Sequence, residues 1–273
     1  MRATPKPASA LPGRGRLIVP AALGLAVLAA GAQELPGRKL AWSDEFDGAA
    51  VDREKWRFVV GGGGYGNNEM QWYDLAPENA RIEDGVLVIE ARKQKKAGWP
   101  YTSAKLESRE AWTYGRFEAR VKLPVGVGSW PAVWMLPRTE SYGPWPNGGE
   151  IDIMEHVGYE PGVVHFTAHT AAFNHKIGTQ KSATASVPDA QAAFHVYAVE
   201  WDAERIAFLV DGREVHSFAN TGKGWEEWPF DRPFFLILNL AVGGDWGGRE
   251  GVDNASLPWR MYVDWVRVYR ADE

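Results

Sequence analysis

Cysteine is absent from the 273 residues. That excludes disulfide staples, thiol nucleophiles and thiolate zinc sites. A surplus of positive charge is also lacking. The formal net charge is -5, no basic stripe runs along the chain, and no field draws polyphosphates, so nucleic acid is not expected as a partner. Helical periodicity is missing as well: no long stretch repeats its apolar residues at helical spacing, and no internal repeat or low-complexity linker breaks the chain.

Long apolar runs are confined to one place. Arg14 and Arg16 precede an apolar run over 17–30, which closes on Ala30-Gly31-Ala32. A charged start, an apolar middle and a small-residue end predict a secretory signal over 1–32, leaving a mature domain over 33–273. An uncleaved anchor is the competing reading, although the run is short and rich in Ala and Gly for a membrane span. With the signal removed, the expected product is a secreted or periplasmic monomer without membrane contact.

What is abundant is tryptophan, with 14 against 9 Tyr and 11 Phe. Two readings stand side by side: a large core, or flat apolar platforms on which sugar rings stack, each keeping an indole N–H for a hydroxyl. After residue 33, short apolar-rich segments alternate with Gly, Pro, Asn and Asp clusters. The pattern predicts strands over 39–46, 85–92, 115–123, 132–136, 150–156, 163–169, 194–201, 205–210, 213–218, 234–241 and 260–270. Asp211-Gly212 is a hairpin signal between two of them. This many short strands in one domain predicts an all-β, antiparallel sandwich.

Two segments indicate faces. Phe117, Ala119, Val121 and Leu123 alternate with Arg116, Glu118, Arg120 and Lys122, which predicts one buried and one wet face. The wet residues fit either a cleft floor or a solvated ion-pair row. The segment over 234–241 is continuously apolar, as in the middle of a sheet. Two Gly-rich stretches, over 61–66 and 243–248, have the backbone freedom to border a cleft.

The segment Glu150-Ile151-Asp152-Ile153-Met154-Glu155 places three acids in a pattern that otherwise reads as a buried strand. Mutual repulsion makes a purely structural role a poor explanation. An acidic surface strand or a calcium site is the bland alternative. Glu150 and Asp152 share a face, but Glu155 lies five positions from Glu150, and a regular strand would send it to the other side. A one-residue bulge at Ile153-Met154 restores it. The two Glu Cα atoms would then stand about 13 Å apart on a flat strand and closer on a bent one. Side chains leaning together could approach the ~5–5.5 Å carboxyl spacing of a retaining glycosidase. One Glu would attack the anomeric carbon while the other donates to the leaving oxygen and later activates water. Asp152 would orient the nucleophile and help hold a shared proton.

These residues resemble the signature of glycoside hydrolase family 16, in the bulged form of its laminarinase-like members. The resemblance extends to Asp44-Glu45-Phe46, Tyr65-Gly66-Asn67-Asn68-Glu69, Tyr114-Gly115-Arg116-Phe117-Glu118-Ala119-Arg120, Trp130-Pro131-Ala132-Val133-Trp134-Met135-Leu136 and Asn239-Leu240-Ala241-Val242-Gly243-Gly244. It implies a β-jelly-roll with a concave substrate cleft, Glu150 as nucleophile, Asp152 as assisting acid and Glu155 as general acid/base. No cofactor is implied for catalysis. The extra Met154 points towards endo-β-1,3-glucanase activity, on laminarin or mixed-linkage β-1,3-1,4-glucan; agarases and carrageenases also carry bulged motifs. The implied partner is a β-glucan polysaccharide.

The same resemblance places Trp130 and Trp134 in the cleft, where core packing is the alternative, and His169 near the acid/base. Trp246, in its Gly-rich loop, is expected as a cleft wall, and Asn67 as a hydroxyl ligand or simply turn chemistry. A zinc pair formed by His165 and His169 lacks a third ligand at suitable spacing. Glu45, Gly85 and Asp264 fall where family members often hold a structural calcium, largely through backbone oxygens. Two other functions share the fold: a non-catalytic glucan-binding protein, which would be expected to have lost one of the two glutamates, and a transglycosylase, which no residue here distinguishes.

Overall fold

The computed structural model describes residues 1–2 and 35–272. The expected signal segment lies outside the described residues, apart from Met1 and Arg2. The unit Glu34–Glu273 carries the fold described below. Among the described residues no helix is long and apolar enough to cross a membrane.

In chain order the strands are β1 (Arg38–Asp44), β2 (Trp56–Val59), β3 (Gln71–Tyr73), β4 (Ala80–Glu83), β5 (Val86–Ala91) and β6 (Tyr101–Ser103). They continue with β7 (Lys105–Ser108), β8 (Gly115–Lys122), β9 (Ser129–Pro137), β10 (Glu150–Glu155), β11 (Val163–His169) and β12 (Lys181–Ser186). The last are β13 (His195–Trp201), β14 (Arg205–Val210), β15 (Arg213–Ala219), β16 (Phe234–Val242) and β17 (Trp259–Ala271). Helical structure among the described residues is limited to two single 3-10 turns.

Two antiparallel sheets form the sandwich, as the alternation predicts. One runs β15-β14-β13-β8-β17-β5-β4, with β1 also on β17. The other runs β12-β11-β10-β9-β16-β7-β2 and carries the cleft. Non-sequential neighbours such as β9 beside β16 make the connections those of a jelly roll. Each strand sends alternate residues inward. Ile151, Val133, Met135, Phe166, Leu236 and Leu238 of the cleft sheet meet Phe117, Ala119, Tyr197, Val199, Val266 and Val268 of the other in one apolar core. The Asp211-Gly212 hairpin is present, with both residues at positive φ.

The structure adds six strands to those predicted: β2, β3, β4, β6, β7 and β12. The longest of them, β12, alternates exposed and half-buried residues on the edge of its sheet, so it lacks an apolar signal. β7 reads Lys-Leu-Glu-Ser yet is buried throughout, because its outward face lies under the cleft rather than in water. The charged row of β8 is likewise drier than expected. Arg116 and Glu118 are 8% and 7% exposed. Arg116 binds Glu118 on its own strand and Glu200 on β13. The row is an ion-pair network on the sheet opposite the cleft, not a cleft floor.

Candidate active site

The outward face of the cleft sheet collects its polar residues from neighbouring strands. β10 supplies Glu150, Asp152 and Glu155, β9 supplies Trp130 and Trp134, β16 supplies Asn239, and β7 supplies Lys105. β11 adds His165, Thr167 and His169 along the same cleft. Tyr65 of the first Gly-rich segment, Asn67 just after it, and Asp245 and Trp246 of the second form its walls. The two loops are tied together by Asn68 Nδ2 donating to Asp245 at 2.9 Å and by the Asp245 N–H donating to the Asn67 carbonyl at 2.7 Å.

The bulge on β10 is where the acid spacing requires it. Against β11, Asp152 pairs with Thr167 and Glu155 with His165, so Ile153 and Met154 together face Phe166 alone. Against β9, Asp152 pairs with Trp134 and Met154 with Val133, which leaves Ile153 as the extra residue. Ile153 and Met154 are both fully buried in the core. Two successive inward side chains return Glu155 to the cleft face. Gly149 sets the strand's start: its φ is +84°, and a Cβ there would stand 2.8 Å from Pro229 Cγ and 2.9 Å from a Phe230 ring carbon. Gly247 plays the same part in the wall, since a Cβ would meet Trp130 Cβ at 2.8 Å.

Each terminal glutamate is held by an indole. Trp145 Nε1 donates to Glu150 Oε2 at 2.7 Å, and Trp130 Nε1 donates to Glu155 Oε1 at 3.0 Å. Trp134 Nε1 is turned to Asn239 Oδ1 at 2.7 Å instead. Trp246 packs edge-on against both Trp130 and His165, with ring centroids 5.3 and 4.8 Å apart. His169 Nε2 lies 3.4 Å from Asp152 Oδ2 and 3.9 Å from Glu150 Oε1. Asn67 lines the cleft and its side chain hydrogen-bonds Glu69.

Burial dominates the electrostatics. It raises Glu150 to about 8, with the Asp152 charge adding to it, while His169 and the Trp145 N–H pull the other way. Burial also raises Glu155 to about 7, against the Trp130 N–H and with the Glu150 charge. Asp152 is held well above the usual carboxylate range by burial and by the charge on Glu155. Burial thus raises all three carboxyls towards the neutral range, where an acid can hold its proton, while the two indole donors favour the ionised form of Glu150 and Glu155.

Three sets of residues bear on metal binding. Glu150, Asp152 and His169 place ligand atoms within 4.8 Å of one another, the one such group of three among the described residues. Ligation needs ionised carboxyls, and burial disfavours both of these. His165 does not join His169 in a pair, because its Nε2 is engaged with Glu160 Oε2 at 2.9 Å. In the calcium trio, Glu45 is held by Arg267 at 2.8 Å and Asp264 pairs with Arg120. Gly85 sits in the tight Asp84-Gly85 turn between β4 and β5, both residues at positive φ. The two carboxylates are therefore engaged by arginines, and a cation at this place would depend on backbone oxygens.

Residues that the sequence reading did not single out complete the site. Trp145, Lys105, Glu69 and Asn239 all border the acids directly or through one neighbour. Asn239 and Glu69 lie within quoted motifs, but nothing in their spacing marks a role. Lys105 had one available signal, a cation in a segment of alternating polar residues beside apolar ones.

The description "Glycosyl hydrolases family 16" fits residues 67–267 of the chain. A β-glucanase of Rhodothermus marinus is 53% identical over 246 residues, covering 86% of each chain. Among solved structures, the laminarinase of R. marinus superposes with a TM-score of 0.85 at 51% identity, over 88% of this chain and 100% of its own. A non-specific endo-β-1,3(4)-glucanase of family 16, crystallised with a glucan oligosaccharide at its active site, has a TM-score of 0.83 at 44% identity, over 86% of this chain and 96% of its own.

Proposed function

The chain belongs to glycosyl hydrolase family 16, and from that premise we propose that it is an endo-acting β-glucanase which cleaves β-1,3 or mixed β-1,3-1,4 glucan with retention. The observation that carries the reading is the bulge on β10, which turns Glu150, Asp152 and Glu155 to one cleft face with an indole donor on each terminal Glu. The substrate class is supported by the β-glucanase, laminarinase and endo-β-1,3(4)-glucanase relatives, whose matches cover 86%, 88% and 86% of this chain.

In this reading Glu150 attacks the anomeric carbon and Glu155 protonates the leaving oxygen, then deprotonates the water that hydrolyses the glycosyl-enzyme. Glu150 is held higher than Glu155, so the roles rest on hydrogen bonding rather than on the order of those two values. Glu150 has an indole donor, a neighbouring imidazole and a carboxyl, Asp152, to which its proton can pass. No cofactor enters any step. Trp130, Trp134 and Trp246 offer stacking faces along the cleft, and Asn67 offers an amide to sugar hydroxyls.

The reading includes export as a monomer, with export supported by the charged and apolar pattern over 1–32. N-terminal sequencing of the secreted protein tests the cut after Ala32. For the chemistry, laminarin hydrolysis followed by NMR should release the β-anomer first. An α-anomer as the first product refutes retention. Glu150→Ala should abolish hydrolysis and leave laminarin binding measurable, and full activity in that variant refutes the nucleophile assignment.

A further inference from the structure

A lysine on a sheet face ordinarily extends into open water, but Lys105 opens only onto the cleft. It stands on β7 between Asn239 of β16 and Val59 of β2. Its side chain lines the cleft with Trp134, Tyr65 and Glu150. The residue is 8% exposed. Its Nζ lies 4.8 Å from the ring centroid of Trp134 and 5.2 Å from that of Tyr65. Among the described residues its Nζ makes neither a hydrogen bond nor an ion pair. Glu107, Glu69 and Glu150 act on it only through space, while burial pulls its pKa below that of an ordinary lysine.

An ammonium carries three donors and no acceptor. Largely buried and without a protein oxygen partner, it is an arrangement that a purely structural role does not explain. The two aromatic faces attract the charge but supply no lone pair for its N–H groups. The remaining acceptors come from water in the cleft or from whatever displaces it. Trp134 is half-buried beside it, and its indole N–H is fixed by Asn239, so its ring is held still as a platform. A sugar ring stacked there brings hydroxyl and ring oxygens next to Nζ.

Resting on the glucanase reading above, we propose that Lys105 is a specificity-determining residue, donating hydrogen bonds to oxygens of a neutral glucosyl unit stacked on Trp134. Neutrality follows from the surroundings. Glu69, Glu150, Asp152 and Glu155 line the same part of the cleft, and an acidic sugar would oppose the ionisation that Glu150 needs as nucleophile. A donor-only group also selects for an oxygen that accepts at that position, so a sugar lacking it leaves the ammonium unpaired.

The test compares wild type, Lys105→Met and Lys105→Arg on laminarin, with kcat and KM measured across pH and with thermal melting as a folding control. Lys105→Met should raise KM about tenfold with a much smaller change in kcat, as expected for a lost charge-assisted hydrogen bond made in both ground and transition states. Lys105→Arg should recover most of that loss. The melting temperature of Lys105→Met should be unchanged or higher, because an unpaired buried ammonium is replaced by an apolar chain of similar length. An unchanged KM overturns the proposal. So does an effect confined to the acid side of the pH profile, which marks an electrostatic action on Glu150, or a lowered melting temperature with normal KM, which marks packing. If the wild type neither binds nor cleaves laminarin, the glucanase reading fails and takes this proposal with it; if only the Lys105 variants behave like wild type, the glucanase reading stands alone.

Discussion

Trp145 gives its indole N–H to Glu150 Oε2 across 2.7 Å, although it belongs to the loop between β9 and β10 and Glu150 opens the strand after it. The same ring lies 5.1 Å from His175 and 6.0 Å from His169, so the loop is folded over one end of the cleft. Trp130 serves Glu155 from the neighbouring strand. The two glutamates are therefore supported by separate elements, and each support can be removed alone.

That separation predicts opposite effects on the two sides of the pH profile. A donor to a carboxylate favours the ionised form, so losing it raises the carboxyl pKa. Trp145→Phe keeps the ring but pushes Glu150 above about 8. With Glu150 as nucleophile, kcat/KM on the acid side of the optimum should fall about tenfold for each unit of that rise. Above the optimum the loss should shrink. Trp130→Phe raises Glu155 above about 7, keeps the acid protonated to higher pH, and should extend activity on the alkaline side. Matching profiles for the two variants would refute the division of roles.

The bulge separates packing from positioning. Met154 is fully buried, so Met154→Ala should cost about 2–5 kcal/mol of stability through the cavity it leaves. The bulge itself survives that substitution, and specific activity well below the melting temperature should stay near wild type. Deleting Met154 removes the extra residue and shifts Glu155 along the cleft against Ala132 and His165. An error of that kind in a reacting group costs on the order of 100-fold or more in kcat. Melting curves and kcat for both variants check the distinction, and a deletion variant with normal kcat would show that the bulge does not position Glu155.

Much of this arrangement is legible in the sequence because β alternation leaves a clear signature where one face is apolar. The five-residue gap between Glu150 and Glu155 requires a bulge, and the register shows it. Short strands such as β7 are not legible, since their polar outward residues sit under a cleft that only the assembled sheet creates. Trp145 is invisible for another reason: a loop residue's reach depends on how the loop folds back, which periodicity does not encode. Arg116 and Glu118 read as solvated because the pattern records polarity, not the partners that make burial tolerable.

A cluster of buried acids should also make the fold pH-sensitive in a stated direction. The folded-state pKa of Glu155 is raised to about 7 from its ordinary value of 4.5. The folded protein therefore binds the proton more tightly than the unfolded chain, and stability is highest below the unfolded value. It is lost as pH rises from about 4.5 to about 7. Once that window is passed, the ionised Glu155 costs on the order of 3 kcal/mol. Glu155→Gln preserves shape and still accepts from Trp130, but has no charge to desolvate. At pH 8 its melting temperature should exceed that of wild type by roughly 5–10 °C. Near pH 4 both residues are neutral in both states, and the difference should vanish. A gain that is equal at the two pH values would mean that the charge is not its source. A gain at pH 8 alone would show that the cleft's acids are kept at a cost to stability, which accords with a catalytic role and not with a structural one.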